Sequence, residues 1–186
     1  MKLAIKLVGI GCLALMVGCA APARFENMVY TQTLDNAFDS EMTEQVEVIA
    51  VQGGSETNPL WVSKISSNDF QKALEESLRS RGLLANNGRF NLKVTLLEVI
   101  QPMFGLDLKV VTKVSYIVVD NDVGEVLFDE IVEATHTATF SDAFDAVTRL
   151  RIANEGSGKN NIKRFLERLS TLNIESSQLS LTGENE

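Results

Sequence analysis

Two cysteines, three prolines, one tryptophan and one histidine are all that this 186-residue chain holds of those four residue types. Both cysteines, Cys12 and Cys19, fall within the first nineteen residues. The chain beyond them therefore contains no disulfide, whatever its compartment allows. The single histidine, His136, has no cysteine partner and cannot form a zinc site from the usual ligands. There is no Gly-x-Ser-x-Gly turn to present a serine to it, so a hydrolytic triad is excluded as well. No hexapeptide repeat with small aliphatic residues at every sixth position runs through the chain, which excludes a repeat-built acyltransferase. Cations are few: 17 Lys and Arg stand against 25 Asp and Glu, for a formal charge of −8. That balance argues against nucleic acid and against a patch that hugs anionic lipid by charge. The longest uncharged stretch near the start, from Leu7 to Ala23, is 17 residues and contains Pro22, whereas a membrane span needs ~20 apolar residues.

What the chain has, at its start, is a pattern with a chemical meaning. Met1-Lys2-Leu3-Ala4-Ile5-Lys6 is short and positively charged, and Leu7 to Val17 is an apolar run of eleven residues. This is the layout of a secretory signal, with Gly18 as the small residue that a signal peptidase pocket requires. The run resembles the lipobox of bacterial lipoproteins, in which Leu, a small or aliphatic residue, and Gly or Ala precede a cysteine. Val17, Gly18 and Cys19 match it, and Met16 takes the Leu position. Cys12 also follows a glycine, but Gly9 stands at its Leu position and the apolar run before it is too short. The resemblance implies that residues 1–18 are removed and that Cys19 carries palmitate-type acyl chains. It also implies transfer to the outer membrane, facing the periplasm, because the next residue is Ala20 rather than Asp. Each buried CH₂ contributes about 0.8 kcal/mol, so three acyl groups anchor stably. An ordinary cleaved signal and an uncleaved anchor helix are the alternatives. Loss of Lys2 and Lys6 leaves 15 cations against 25 acidic residues, a charge of −10.

The remaining 168 residues suffice for one domain. Residues 19–45 show no sustained period and are expected to form a lipidated tether, docking on the domain through Phe25, Tyr30 and Phe38 if at all. Val46 to Val51 is β-branched and stopped by Gly53-Gly54, a strand and a turn. Trp61 reads as a core plug. A helix follows, capped by Ser67 or Asn68, with Phe70, Ala73, Leu74, Ser77 and Leu78 on one face and Gly82 as its C-terminal stop. Phe90, Leu92, Val94 and Leu96 alternate with polar residues, and Leu97, Val99 and Ile100 then break the alternation, which predicts a bulge. A second strand carries Val110, Thr112, Val114, Tyr116 and Val118 on one face. Asp120 to Gly124 form a hairpin turn. A third strand carries Val126, Phe128, Val132, Ala134 and Ala138, with a register slip expected at Glu130. Ser141 is expected to cap a last helix, stapled by Phe140 and Phe144. Its apolar stripe keeps phase through Gly156-Ser157-Gly158, so one long helix is favoured over a break there. The fold class expected is α+β: a two-layer sandwich with a mostly antiparallel four-stranded sheet and two helices on one face, in the order β-α-β-β-β-α. The domain is placed at 46–173, with a flexible tail at 174–186.

Candidate chemistry is sparse. His136 on a strand reads as structural or surface-exposed. Asp120-Asn121-Asp122-Val123-Gly124 departs from a calcium loop, since Gly is fifth and the flanks are strands. Gly53-Gly54-Ser55 lacks the Lys-Ser/Thr pair of a phosphate loop. Lys159, Lys163, Arg164 and Arg168, with Arg149 and Arg151, form a basic side that is either a solvated face or a contact for an acidic partner. No catalytic, cofactor-binding or metal-ligating residue is predicted; the one site residue is Cys19. The lipobox together with Asn68 to Leu78, Gly82-Leu83 and Asn161 to Leu166 resembles a group of small Gram-negative outer-membrane lipoproteins, including the YajG-like lipoproteins and the auxiliary lipoproteins of ABC-type lipid transport. The resemblance implies a non-enzymatic accessory of an envelope assembly or transport machine, with an envelope protein as partner. A module that binds lipid or another apolar ligand is the alternative, prompted by the apolar content around Leu97 to Val111.

Overall fold

A computed structural model describes residues 20–58 and 62–174. The signal, Cys19, Trp61 and the tail beyond Ile174 lie outside the described residues. The elements are α1 (Phe25–Met28), a 3-10 turn (Ser40–Met42), β1 (Val46–Gln52), α2 (Ser67–Arg79), β2 (Phe90–Ile100), β3 (Leu108–Asp120), β4 (Glu125–Ala138) and α3 (Ala146–Leu169).

Local chemistry explains each boundary. Ser66, not Ser67 or Asn68, caps α2: its hydroxyl accepts from the Asp69 amide at 3.0 Å and donates to the Asp69 carboxylate at 2.6 Å. The five residues buried on α2 are the five of its predicted face. It ends with Gly82 at φ +67°, the Gly82 amide bonded to the Arg79 carbonyl and the Leu83 amide to that of Leu78. That paired closure is the Schellman arrangement, which uses the left-handed backbone that glycine adopts without strain. α3 is a single helix through Gly156 and Gly158. Its cap is Asp145, which accepts from the Thr148 amide at 2.8 Å. The expected cap, Ser141, instead lies in the preceding turn, sharing a hydroxyl contact with Thr139.

The sheet runs in the order β1-β2-β3-β4. β2, β3 and β4 pair antiparallel through consecutive connections, whereas β1 pairs parallel to β2 because α2 carries the chain back between them. The bulge predicted near Leu97 is present, between Leu96 and Glu98. The slip expected at Glu130 lies three residues earlier: Val119 pairs with Val126 and Val118 with Phe128, leaving Leu127 as the extra residue. Val126 is thereby turned out to 58% exposure, while Phe128 stays on the core face. Both helices cover one face, α2 against β1 and α3 across β3 and β4. The result is the expected two-layer α+β sandwich on a mostly antiparallel sheet.

The described part of the segment expected to be a tether is packed against this domain. α1 sits on both α2 and α3. Ala23, Met28, Tyr30 and Met42 are buried in the main core. Burying a methionine side chain contributes about 1.5–3 kcal/mol, so the contact is worth far more than a loose aromatic touch. The Arg24 amide and the Asn27 side chain donate to the two oxygens of the buried Glu155 carboxylate, at 3.0 and 2.8 Å. The Ala23 amide donates to the Lys64 carbonyl at 3.1 Å. Past α3, Ile174 is buried too, and its amide donates to Asp39. The folded unit therefore includes residues 20–45.

α3 lies close to the sheet because its inward residues are small. A side chain on Gly156 would collide with the His136 ring, and a Cβ on Gly158 would come within 2.7 Å of the Met28 sulfur. Between helix and sheet sits a buried polar net. Asn161 donates to the carbonyls of Thr112 and Val132, at 3.1 and 2.9 Å, and accepts from the Tyr116 hydroxyl at 2.8 Å. Ser157 donates to the Thr112 hydroxyl at 3.0 Å. Burial pushes the Tyr116 phenol up well above its usual range.

Candidate functional site

The residues least consistent with a globular surface are in one connection. Pro102 and Gly105 mark the β2–β3 turn, but between and beside them stand Met103, Phe104 and Leu106, exposed by 96%, 88% and 73%. Ile100, just before it, is half exposed. Hairpin connections ordinarily carry polar turn residues, so three large apolar side chains held in water cost solvation free energy with no return to the fold.

A second loop joins it. Phe140 and Phe144, between β4 and α3, pack edge to face with centroids 5.5 Å apart. The Phe140 amide donates to the Asp107 carboxylate at 3.3 Å, tying the two loops together. Arg149 holds the second loop in shape: it is buried, donates to the Ala143 and Phe144 carbonyls at 2.8 and 2.7 Å, and lies over the Phe140 ring. Phe144 itself remains 84% exposed.

Behind the tip is a cavity of about 460 Å³, lined by Val62, Val99, Met103, Leu108, Val147 and Leu150 among others. The polar side chains of its lining, Lys64 and Gln101, are hydrogen-bonded within the fold. Gln101 and Asn154 both donate to the Ser63 carbonyl, at 2.9 and 3.0 Å, and Gln101 also donates to Asn154 at 2.7 Å. The Lys64 ammonium donates to the Gln101 carbonyl at 2.8 Å. Among the described residues no nucleophile faces a base here. What the arrangement can do is hold or present apolar surface.

The sequence-predicted candidates are dispersed. Cys19 lies outside the described residues. His136 packs on Gly156 of α3, within electrostatic reach of the Asp142 carboxylate; among the described residues no group of three His, Cys, Asp or Glu could hold a metal ion. Asp120 is fully buried and already has its cation: Arg89 reaches its two oxygens at 2.7 to 3.1 Å. The Arg89 hydrogen bonds hold the Asp120 carboxyl below its usual range. Arg89 also pairs with Glu41 at 2.6 Å, so this cluster pins the 3-10 turn to the β3–β4 hairpin. The Gly53-Gly54-Ser55 turn spends its amides internally, Gly54 on the Ser67 hydroxyl and Ser55 on the Ile65 carbonyl. Most of the basic side of α3 is engaged within the chain: Arg168 with Glu130, Arg164 with the Glu133 carbonyl, Lys163 with Glu167, Arg151 with Glu155, and Arg149 as described. The solvated-face reading fits these pairs.

Sequence reasoning marked the apolar stretch Leu97 to Val111 without singling out the Met103-Phe104-Leu106 tip within it, and it missed the Ser63–Gln101–Asn154 net. The tip had a signal, three apolar residues among Pro102, Gly105 and Asp107. The net had none, because its members are 38 to 91 residues apart.

No family model and no curated protein matches the chain. Solved structures do. A Xanthomonas campestris protein of the family DUF330 superposes with a TM-score of 0.55 at 8% identity, covering 81% of this chain and 99% of that one. A hypothetical protein of Chlamydia trachomatis superposes at 0.54 with 12% identity, covering 70% and 97%. A minor lipoprotein of Acinetobacter baumannii matches at 0.45 with 9% identity over 69% and 93%, a likeness too loose to bear on this chain. At these identities the first two show a likeness of fold. Among the described residues no helix is long and apolar enough to cross a membrane.

Proposed function

We propose that this chain is a bacterial lipoprotein, attached by acyl groups on Cys19 to the periplasmic side of the outer membrane, and that it acts without catalysis as an accessory in envelope assembly or transport. The observation that carries the reading is Met16-Val17-Gly18-Cys19 directly ahead of a docked segment. Ala20 is buried and Ala23 is hydrogen-bonded into the domain. An anchor at Cys19 then acts on the folded unit itself rather than on a long spacer. Work by contact is supported by the exposed apolar end, since a contiguous apolar surface of this kind marks an interaction site. A Cys19→Ser variant tests the anchor. The wild-type chain is expected to fractionate with outer membranes and to show the mass of residues 19–186 plus acyl groups. The variant is expected to lose the acyl mass and to leave the membrane fraction. An unchanged acylated mass in the variant refutes the assignment.

A second reading is that the cavity of about 460 Å³ holds a small apolar ligand, because its lining is mainly apolar, with Val, Leu and Met making up half of it. Native mass spectrometry of the purified chain returning only the bare protein mass would count against it.

A further inference from the structure

The apolar tip stands at the end of the molecule toward which the described N-terminal segment runs. The end is defined by the sheet: β2 finishes there at Ile100, β3 starts there at Leu108, and β4 finishes there, Ala138 pairing with Leu108. α3 begins there at Ala146, and Ala146, Val147 and Leu150 line the cavity behind the tip. The N-terminal segment can be followed along α3 toward this end. Met28 packs at Gly158, Arg24 and Asn27 bond Glu155, and Ala23 bonds Lys64, which itself lines the cavity. Each step back along the segment is a step toward the N-terminus of α3. Ala20 is three residues further on, and Cys19 one beyond it. An extended chain advances about 3.3 Å per residue, so Cys19 lies within roughly 15 Å of Ala23.

From this geometry we infer that the domain sits on the bilayer that holds its acyl chains, with Met103, Phe104, Leu106 and Phe144 dipping into the membrane interface. The inference rests on the lipid anchor proposed above and adds the orientation and the inserting residues. The occupant is a lipid surface because the chain ahead of Ala20 delivers the acylated residue to this end. Acylation also raises the local concentration of the tip at the membrane, so a weak insertion becomes a stable one. The attraction is apolar rather than coulombic. Asp107, Asp142 and Asp145 stand at the same end, and Lys64 and Arg149 each donate to groups within the fold. Insertion therefore does not require anionic headgroups. The two loops are tied by the Asp107 bond to the Phe140 amide, and Phe144 is held by Arg149, so the apolar surface is presented with little left to order.

The test places a probe at the tip. Cys12 leaves with the signal and Cys19 is blocked by its acyl chain, so Phe104→Cys gives the lipidated protein a single free thiol. An environment-sensitive NBD label is attached there and the protein is reconstituted into vesicles of phosphatidylethanolamine and phosphatidylglycerol. Val123→Cys, in the β3–β4 hairpin at the opposite end, is the control. The expected result at position 104 is a blue shift, loss of most emission to doxyl-labelled lipids, and protection from iodide. Position 123 should show the reverse. An acylated, vesicle-bound protein whose label at 104 behaves like that at 123 overturns the seating and leaves the anchor standing. A label at 104 shielded from iodide but not quenched by doxyl lipid means that protein covers the tip, which also overturns it. A chain without acyl mass overturns the anchor and this inference with it. Vesicles of phosphatidylcholine alone should give the same quenching at 104; a requirement for anionic lipid refutes the apolar account.

Discussion

Replacing Asn161 with alanine should be among the most damaging single changes in the fold, although it removes no apolar surface. Asn161 is fully buried between α3 and the sheet. Its amide nitrogen serves the Thr112 carbonyl and hydroxyl and the Val132 carbonyl, and its oxygen takes the Tyr116 hydroxyl. A buried hydrogen bond contributes about 0.5–1.5 kcal/mol net, and a buried polar group left without a partner costs about 1–3 kcal/mol. Losing three such bonds and stranding the Tyr116 hydroxyl therefore predicts a cost of about 3–6 kcal/mol. For a unit of this size about 1 kcal/mol moves Tm by roughly 2–4 °C, so the midpoint should fall by roughly 6–24 °C. The assay is urea and thermal unfolding followed by circular dichroism, with the slope in urea checked for two-state behaviour. Tyr116→Phe supplies the internal control. It keeps the ring stacked on Phe165, whose centroid is 4.1 Å away, and removes only the hydroxyl. In the Asn161→Ala background it should cost less than it does alone, because the stranded hydroxyl is gone. An Asn161→Ala loss below about 1 kcal/mol, or strict additivity in the double variant, refutes the reasoning.

Acid should weaken the fold through Asp120. Its folded carboxyl lies below the usual value of 3.8, mainly through the Arg89 hydrogen bonds, so its contribution is fully present above that pH and is lost as pH falls through the depressed folded value. Asp120→Asn should be less stable than wild type at neutral pH and show a flatter stability profile below about pH 4, as measured by urea midpoints across pH. Gly158→Val should push Met28 off α3 and expose residues 20–30 to limited proteolysis while the sheet remains folded; unchanged cleavage would show that the docking does not depend on that close approach. The Cys19→Ser and Phe104→Cys experiments complete the set.

Much of the architecture was readable in order along the chain. The face of α2 and the core faces of β2 and β3 were correct residue by residue, because each is a local periodicity that any burial of that element must obey. The Leu97 bulge was visible as a break in that period. β4 was misread at its start because a one-residue bulge at Leu127 inverts the face of Val126, and Glu130, the residue that looked anomalous, is simply exposed and paired with Arg168. The cap of α3 was misread because Ser141 and Asp145 are both good caps, and the Phe140–Phe144 contact that suggested a staple belongs to a loop fixed by Arg149.

The sequence by itself determined the run Met16-Val17-Gly18-Cys19, the lack of any cysteine beyond it, and the β-α-β-β-β-α order. These depend on residue types at short spacing. Only the tertiary structure decided that residues 20–45 belong to the domain, since the bond between Arg24 and Glu155 joins positions 131 residues apart and leaves no local period. It alone decided that β1 is parallel and that the Ser157, Asn161 and Thr112 net is satisfied rather than costly. It also decided where the apolar tip points. Hydrophobicity in a loop says that something must cover it, and only the fold shows that the segment Ala23 to Met28 runs along α3 toward the end where that loop stands.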